Sequence, residues 1–186
     1  WSSDVCSSDL SNDIYSFQRK INNIHEEIYK KGGVKPVNAA IDELSKLFFL
    51  KIHAENYPDY LFKQKDGQLK RFVDIFNSSF IRQEGKRAVQ ALQEAFQEIA
   101  RLECYRYEIN NESETFFPHQ EHLRLDNPYV LAEVIDMLSL LSLSNPNLIS
   151  YGNGSHNVLA YIDLPGYAYD VVLRGTLVDD ADIDVA

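Results

Sequence analysis

The sequence predicts an all-α domain, a bundle-like arrangement of five or six helices. Three observations predict it. Apolar residues recur at alternating steps of three and four in segment after segment, which is the period of one helix face. Capping residues and Gly or Pro stops fall between those segments. Strand signals, meaning alternating β-branched and aromatic runs bounded by tight turns, are few.

Taken in order, the first helix carries Ile14, Phe17, Ile21, Ile24 and Ile28 on one face. Lys30 and Lys31 suit its C-terminal dipole, and Gly32-Gly33 ends it. Residues 34–37 read as a short extended link. Asn38 can cap a second helix whose buried side holds Ile41, Leu44, Leu47, Phe48 and Ile52. Leu47-Phe48-Phe49-Leu50 is apolar over more than one face, so this helix is expected at the centre, with Tyr57-Pro58 closing it. Asp66-Gly67 marks a turn, and Leu69, Phe72, Val73 and Phe76 suggest a short helix beyond it. A longer helix is expected over about 85–102, with Val89, Leu92, Phe96, Ile99 and Leu102 inward. Residues 110–114 read as polar loop. Pro128 fits the first turn of another helix, capped by Asp126 or Asn127, with Val130, Val134, Ile135, Leu138 and Leu141 buried. A Ser/Asn/Gly loop over 142–157 leads to a last helix over 158–174, kinked or interrupted at Pro165-Gly166.

With 186 residues and 45% hydrophobic content, the chain can bury one proper core. No run approaches the roughly 20 apolar residues of a membrane-spanning helix. Apart from Cys6, Cys104 stands alone, which leaves neither a disulfide framework nor a thiolate metal site and favours a reducing cytoplasm. The Asn-x-Ser triplets at Asn77, Asn111 and Asn153 are then chance. The net charge of −10 is unevenly placed, because Asp4, Asp9, Asp179, Asp180, Asp182 and Asp184 crowd the two ends. Taking those six from 28 acids leaves 22 against 18 bases, a net of −4. An acidic total argues against indiscriminate nucleic-acid binding but leaves room for a local basic patch.

The opening WSSDVCSSDL has no Met, the only one being Met137, and no Lys or Arg. It fits neither a secretory signal nor a transit peptide, and it resembles a translated sequencing adaptor. Residues 1–10 are therefore expected to be an artefactual or disordered tail. Residues 11–175 are expected to be the helical domain, and 176–186 an acidic, truncated junction.

Few motifs carry chemistry. His119-x-x-His122 lacks a third metal ligand at a suitable spacing and reads as a solvated surface pair. Asp126-Asn127-Pro128-Tyr129 superficially resembles the Asn/Asp-Pro-Pro-aromatic element of amino methyltransferases, but a single Pro after two capping residues reads as a helix start. No Gly-rich loop follows an expected strand, and no Ser, Cys or His nucleophile arrangement is visible, so no catalytic, cofactor-binding or metal-binding residue is assigned. The Asp-rich C-terminus lacks the spacing of a calcium loop. Two basic groupings remain. Lys30, Lys31 and Lys35 surround the end of the first helix, and Arg82, Lys86 and Arg87 open the long one. A solvated face is the default for both; if they meet DNA, they position its backbone without reading sequence.

One stretch, GGVKPVNAAIDELSKLFFLKI from Gly32, resembles the N-terminal helical region of adenine-N6 DNA methyltransferases of type I restriction–modification systems. There a Gly-containing link leads into Ala-x-x-Glu-Leu-x-x-Leu-Leu-Phe-Leu-Lys, matched here by residues 40–51. A second stretch, DLPGYAYDVVLRG from Asp163, is similar to the family's junction with its catalytic domain, through Asp163, Gly166, Ala168, Tyr169, Asp170, Leu173 and Arg174. The family's Gly-x-aromatic-x-Thr-Pro, S-adenosylmethionine loop and Asn-Pro-Pro-aromatic element do not follow. The resemblance covers about 11–175 and implies a cytoplasmic, DNA-clamping and assembly domain. Its expected partners are DNA, the catalytic domain of the same chain, and a specificity subunit or second methylation subunit; no membrane is involved. The 47–50 ridge and residues 167–169 would be its packing surfaces. By itself this stretch would transfer no methyl group. A stand-alone helical module that binds a partner helix in an apolar groove is the alternative.

Overall fold

A computed structural model of the chain describes residues 18–141, and the helical expectation holds across them in coarse form. The six helices are α1 (18–26, continuing as a π-turn over Glu27–Lys31), α2 (Val37–Asn56), α3 (Phe72–Ile75), α4 (Ser78–Glu84), α5 (Lys86–Ile99) and α6 (Pro128–Ser139). A 3₁₀ turn covers Glu103–Tyr105. Two small antiparallel sheets join the helices, so the domain is not purely α. Strands β1 (Leu61–Lys63) and β2 (Leu69–Arg71) form one, and β3 (Arg106–Ile109) and β4 (Glu112–Thr115) the other.

Helix α2 is the central element that its all-round apolar stretch predicts. Fourteen of its twenty residues are buried. The expected inward faces are also realised: Ile21, Ile24 and Ile28 of α1, Val89, Leu92, Phe96 and Ile99 of α5, and Val130, Val134, Ile135 and Leu138 of α6. The ridge 47–50 lies inside this core, with Leu47, Phe48 and Leu50 fully buried and Phe49 nearly so. It is therefore unavailable as a surface for another domain.

Several local expectations need correction. Asn38 does not cap α2; the cap is Pro36, whose carbonyl accepts from Ala39 and Ala40. The helix thus starts one residue beyond the Pro, whose fixed φ suits that position. Of the two candidate caps for α6, Asn127 is the one used: its Oδ1 accepts from Tyr129 and Val130. The long helix ends at Ile99, with Leu102 just past its last turn.

Both sheets fall where loops or helix were expected. Residues 110–114 include a hairpin turn at Asn110-Asn111, whose φ values of 52° and 65° have the signs a two-residue type I′ turn requires. Its flanking strands are exposed on both faces, so they carry no alternation to read. In the first hairpin Asp66-Gly67 does turn the chain, with Asp66 Oδ1 accepting from the Gln68 N–H and Gly67 at φ 86°. Only Phe62 is buried there, too little for a period-two signal. The expected last helix, the junction residues, Ile14, Phe17 and residues 1–10 lie outside the described residues.

Gly32 ends α1 where a side chain has no room. A Cβ there would stand 2.6 Å from both the Ile28 carbonyl oxygen and Leu125 Cδ1. Gly32→Ala is expected to cost roughly 1–3 kcal/mol through overpacking, read as a fall in the urea midpoint at unchanged m-value.

Candidate functional site

The helical period gives α2 a second, unexpected face. Glu43, Lys46, Leu50 and His53 follow one another at steps of three, four and three, so a row of polar groups runs down a buried helix. Glu43 is 0% exposed, and Lys46 and His53 are 1% exposed. An unpaired charge at such positions would be prohibitive, so each must find partners in the fold.

Those partners lie in an extended segment, residues 121–125, which follows a turn at 118–121. The Glu43 carboxylate accepts from Arg124 N at 3.0 Å on each oxygen and from Leu125 N at 3.2 Å. Lys46 Nζ donates to the His122 carbonyl at 2.9 Å, pairs with Glu121 at 2.5 Å and lies 3.6 Å from Glu43. Helix α5 holds the other edge of the segment. Gln93 exchanges two bonds with Leu123, giving Nε2–H to its carbonyl at 2.6 Å and taking its N–H at 2.9 Å. Gln97 donates to the Glu121 carbonyl, and Arg101 to that of His119.

The spacing explains why this works. Steps of four along α5 advance about 6 Å, and steps of two along an extended chain advance about 6.6 Å. Gln93 and Gln97 therefore meet the carbonyls of 123 and 121 in antiparallel register, and Arg101, just past the helix end, reaches that of His119 in the preceding turn. Successive carbonyls of an extended chain point to opposite sides, so that of His122 faces α2 instead. The segment behaves as a strand whose neighbours are helix side chains. Leu123 and Leu125 are buried beneath it.

Burial pushes the Glu43 pKa up, against its bonds from Arg124, Lys46 and Leu125. All its contacts come from donors, the pattern of an ionised carboxylate. The Lys46 bond holds the Glu121 carboxyl below the usual range. At the far end of the row, His53 Nδ1 lies 2.6 Å from the Tyr105 hydroxyl, ringed by Tyr57, Tyr60 and Phe72. Its Nε2 is buried without a partner, and burial lowers its pKa to about 4.

The basic candidates sit elsewhere, on the surface. Lys31 pairs with Glu27 and with Glu133 of α6, and Arg82 pairs with Asp136 of α6. Both groupings thus flank α6. Lys30 pairs with Glu26, and Lys35 Nζ lies 5.4 Å from the Tyr29 ring centre. Arg82 does not open the long helix: Gly85, at φ 56°, separates it on α4 from Lys86 and Arg87 on α5. Arg87 reaches Asp66 at the tip of the first hairpin. The histidines His119 and His122 are exposed, and among the described residues no group of three or more His, Cys, Asp or Glu is placed to hold a metal ion. An open cleft of about 560 Å³ lies between β4 and the turn before the extended segment, lined by Arg106, Glu114, Phe116 and His119 among others.

The polar row on α2 and the Gln93–Gln97–Arg101 ladder are the residues that sequence reasoning missed. The signal was present: the charges at 43 and 46 stand beside Leu44 and Leu47 on the apolar side of α2, and polar residues recur at steps of four beside the apolar face of α5. No family model matches the chain, and no curated protein or solved structure matches it either. Among the described residues no helix is long and apolar enough to cross a membrane.

Two predictions follow from this geometry. Glu43→Ala leaves the buried Leu125 N–H, the half-buried Arg124 N–H and part of the Lys46 charge unmatched, and is expected to cost roughly 3–5 kcal/mol in urea unfolding. Adding Lys46→Met to it should cost less than the sum of the two single changes. His53 has a folded pKa below its unfolded value, so the unfolded state binds more protons between them. Stability is then full above about pH 6.5 and falls as the pH drops toward about 4. His25, also lowered by burial, acts with the same sign. Melting temperatures across that window should slope less in His53→Gln than in the parent.

Proposed function

We propose that the chain is the helical N-terminal domain of an S-adenosylmethionine-dependent adenine-N6 DNA methyltransferase of a restriction–modification system, acting as a DNA clamp and assembly unit in the cytoplasm. On this reading its helices form one bundle-like domain carrying two hairpins. The observation that supports it is the role of the family-like segment 40–51. Its apolar positions fill the core, and its acid in the family pattern, Glu43, anchors the extended segment at Arg124 and Leu125. A pattern that keeps an acid at this buried position has a physical reason here.

The described glycines do not fit a cofactor cradle. Gly32 and Gly33 follow a helix, Gly67 turns a hairpin, and Gly85 separates two helices. None lies between a strand and a helix N-terminus, so no step involving S-adenosylmethionine is derived from these residues. In such a parent, adenine is flipped out of the duplex and methylated in a separate catalytic domain. This domain's part is to hold the DNA backbone, through Lys30, Lys31, Lys35, Arg82, Lys86 and Arg87. It also packs against that catalytic domain and against a specificity or second methylation subunit.

Reading the source DNA onward from the codon for Ala186 tests the proposal. The expected continuation, within a few dozen codons, is Thr-Pro, a Gly-rich loop and Asn-Pro-Pro-aromatic. A stop codon in their place overturns it in favour of a stand-alone helical binding module.

A further inference from the structure

The first hairpin has a charge opposite to that of the chain. Residues 61–71 hold Lys63, Lys65, Lys70 and Arg71 against the single acid Asp66, in a protein of net charge −10. The register sorts them. Phe62 and its cross-strand partner Lys70 face inward, Phe62 into the core and Lys70 over the Phe80 ring at 3.9 Å. Leu61, Lys63, Leu69 and Arg71 therefore share the outward face, with Leu61 53% and Leu69 64% exposed. This ribbon is firmly seated. Tyr60 bonds Glu98 and accepts from Phe72 N at its base, while Lys65–Glu94 and Asp66–Arg87 tie its tip to α5.

The one acid on the ribbon is thus occupied by Arg87. Lys63, and Lys86 next to Arg87 in sequence, have no acidic partner among the described residues. The pairs of Lys65 and Arg71 are solvent-exposed, so exchanging their carboxylates for phosphates costs little. We infer that the outward face of the β1–β2 hairpin is a contact for the phosphate backbone of duplex DNA, made by Lys63 and Arg71 on that face with Lys65 at its tip. The choice of duplex DNA rests on the clamp reading above; the charge and geometry are independent of it. A ribbon two strands wide suits a duplex groove edge better than a flat anionic bilayer.

The test is fluorescence anisotropy of the whole chain with a labelled duplex of random sequence, titrated at several salt concentrations. Lys63→Ala/Lys65→Ala/Arg71→Ala is compared with Lys30→Ala/Lys31→Ala/Lys35→Ala, and circular dichroism checks folding. The hairpin triple is expected to weaken binding about tenfold or more and to reduce the salt slope by about 2–3, while the other triple does less. Lys63→Arg/Lys65→Arg should bind like the parent. Three outcomes overturn the inference: no duplex binding by the parent at low salt, an unchanged hairpin triple, or preferential binding to phosphatidylserine–phosphatidylcholine vesicles. If only the Lys30 group matters, the hairpin assignment fails while the clamp survives. If a stop codon follows Ala186 but the hairpin triple loses binding, the methyltransferase reading fails and the DNA contact stands.

Discussion

The carboxylate of Glu43 and the ammonium of Lys46, one turn apart on the most buried helix, constrain everything around them. Bringing two charges out of water costs several kcal/mol for each, and their mutual attraction offsets this only when further hydrogen bonds are well placed. Here those bonds come from a segment about 80 residues further along the chain. The charges thus fix where that segment runs and which of its groups face α2. A slip of one residue would present carbonyls to the Glu43 carboxylate and N–H groups to Lys46. Such a pair specifies a register more than it adds stability.

Helix α5 completes the arrangement from the opposite side. An extended chain between two helices has no strand partner, and its buried peptide groups need bonds all the same. Gln93 supplies one donor and one acceptor at the spacing of a peptide unit, so it stands in for a neighbouring strand. Gln97 continues the pattern, and Arg101 reaches the preceding turn. The second hairpin and Phe116–Phe117 lead straight into this segment, and Phe49 gathers both of those rings with Tyr105 and Phe96. Core, polar row and extended segment therefore form one connected unit.

This rigidity bears on function through the surface. The interior of α2 is committed to holding the domain together, which leaves exposed elements to meet partners. Elsewhere on the surface, Lys30, Lys31, Arg82 and Arg87 are matched by acids of α1, α4 and α6. The first hairpin gathers four bases on a narrow, braced ribbon, of which Lys65 and Arg71 pair with Glu94 and Asp74. An acidic protein with one basic ribbon can engage a polyanion locally while repelling it elsewhere, which gives orientation as well as attraction.

What the sequence by itself determined was the set of helices and their buried faces. Those depend on interactions within three or four residues: the Ile21–Ile24–Ile28 stripe, the Asn127-Pro128 start of α6, the Gly32-Gly33 stop and the apolar girth of α2 are all legible locally. The hairpins were not, because their strands are three or four residues long and mostly exposed, so solvent rather than a core sets their composition. Nor were the destinations of Glu43, Lys46, Gln93 and Gln97. A charged or amide side chain on a helix looks the same in sequence whether it faces water or a distant backbone. Only the tertiary structure decided that these face inward, because buried polar groups must be satisfied and their partners lie far away along the chain.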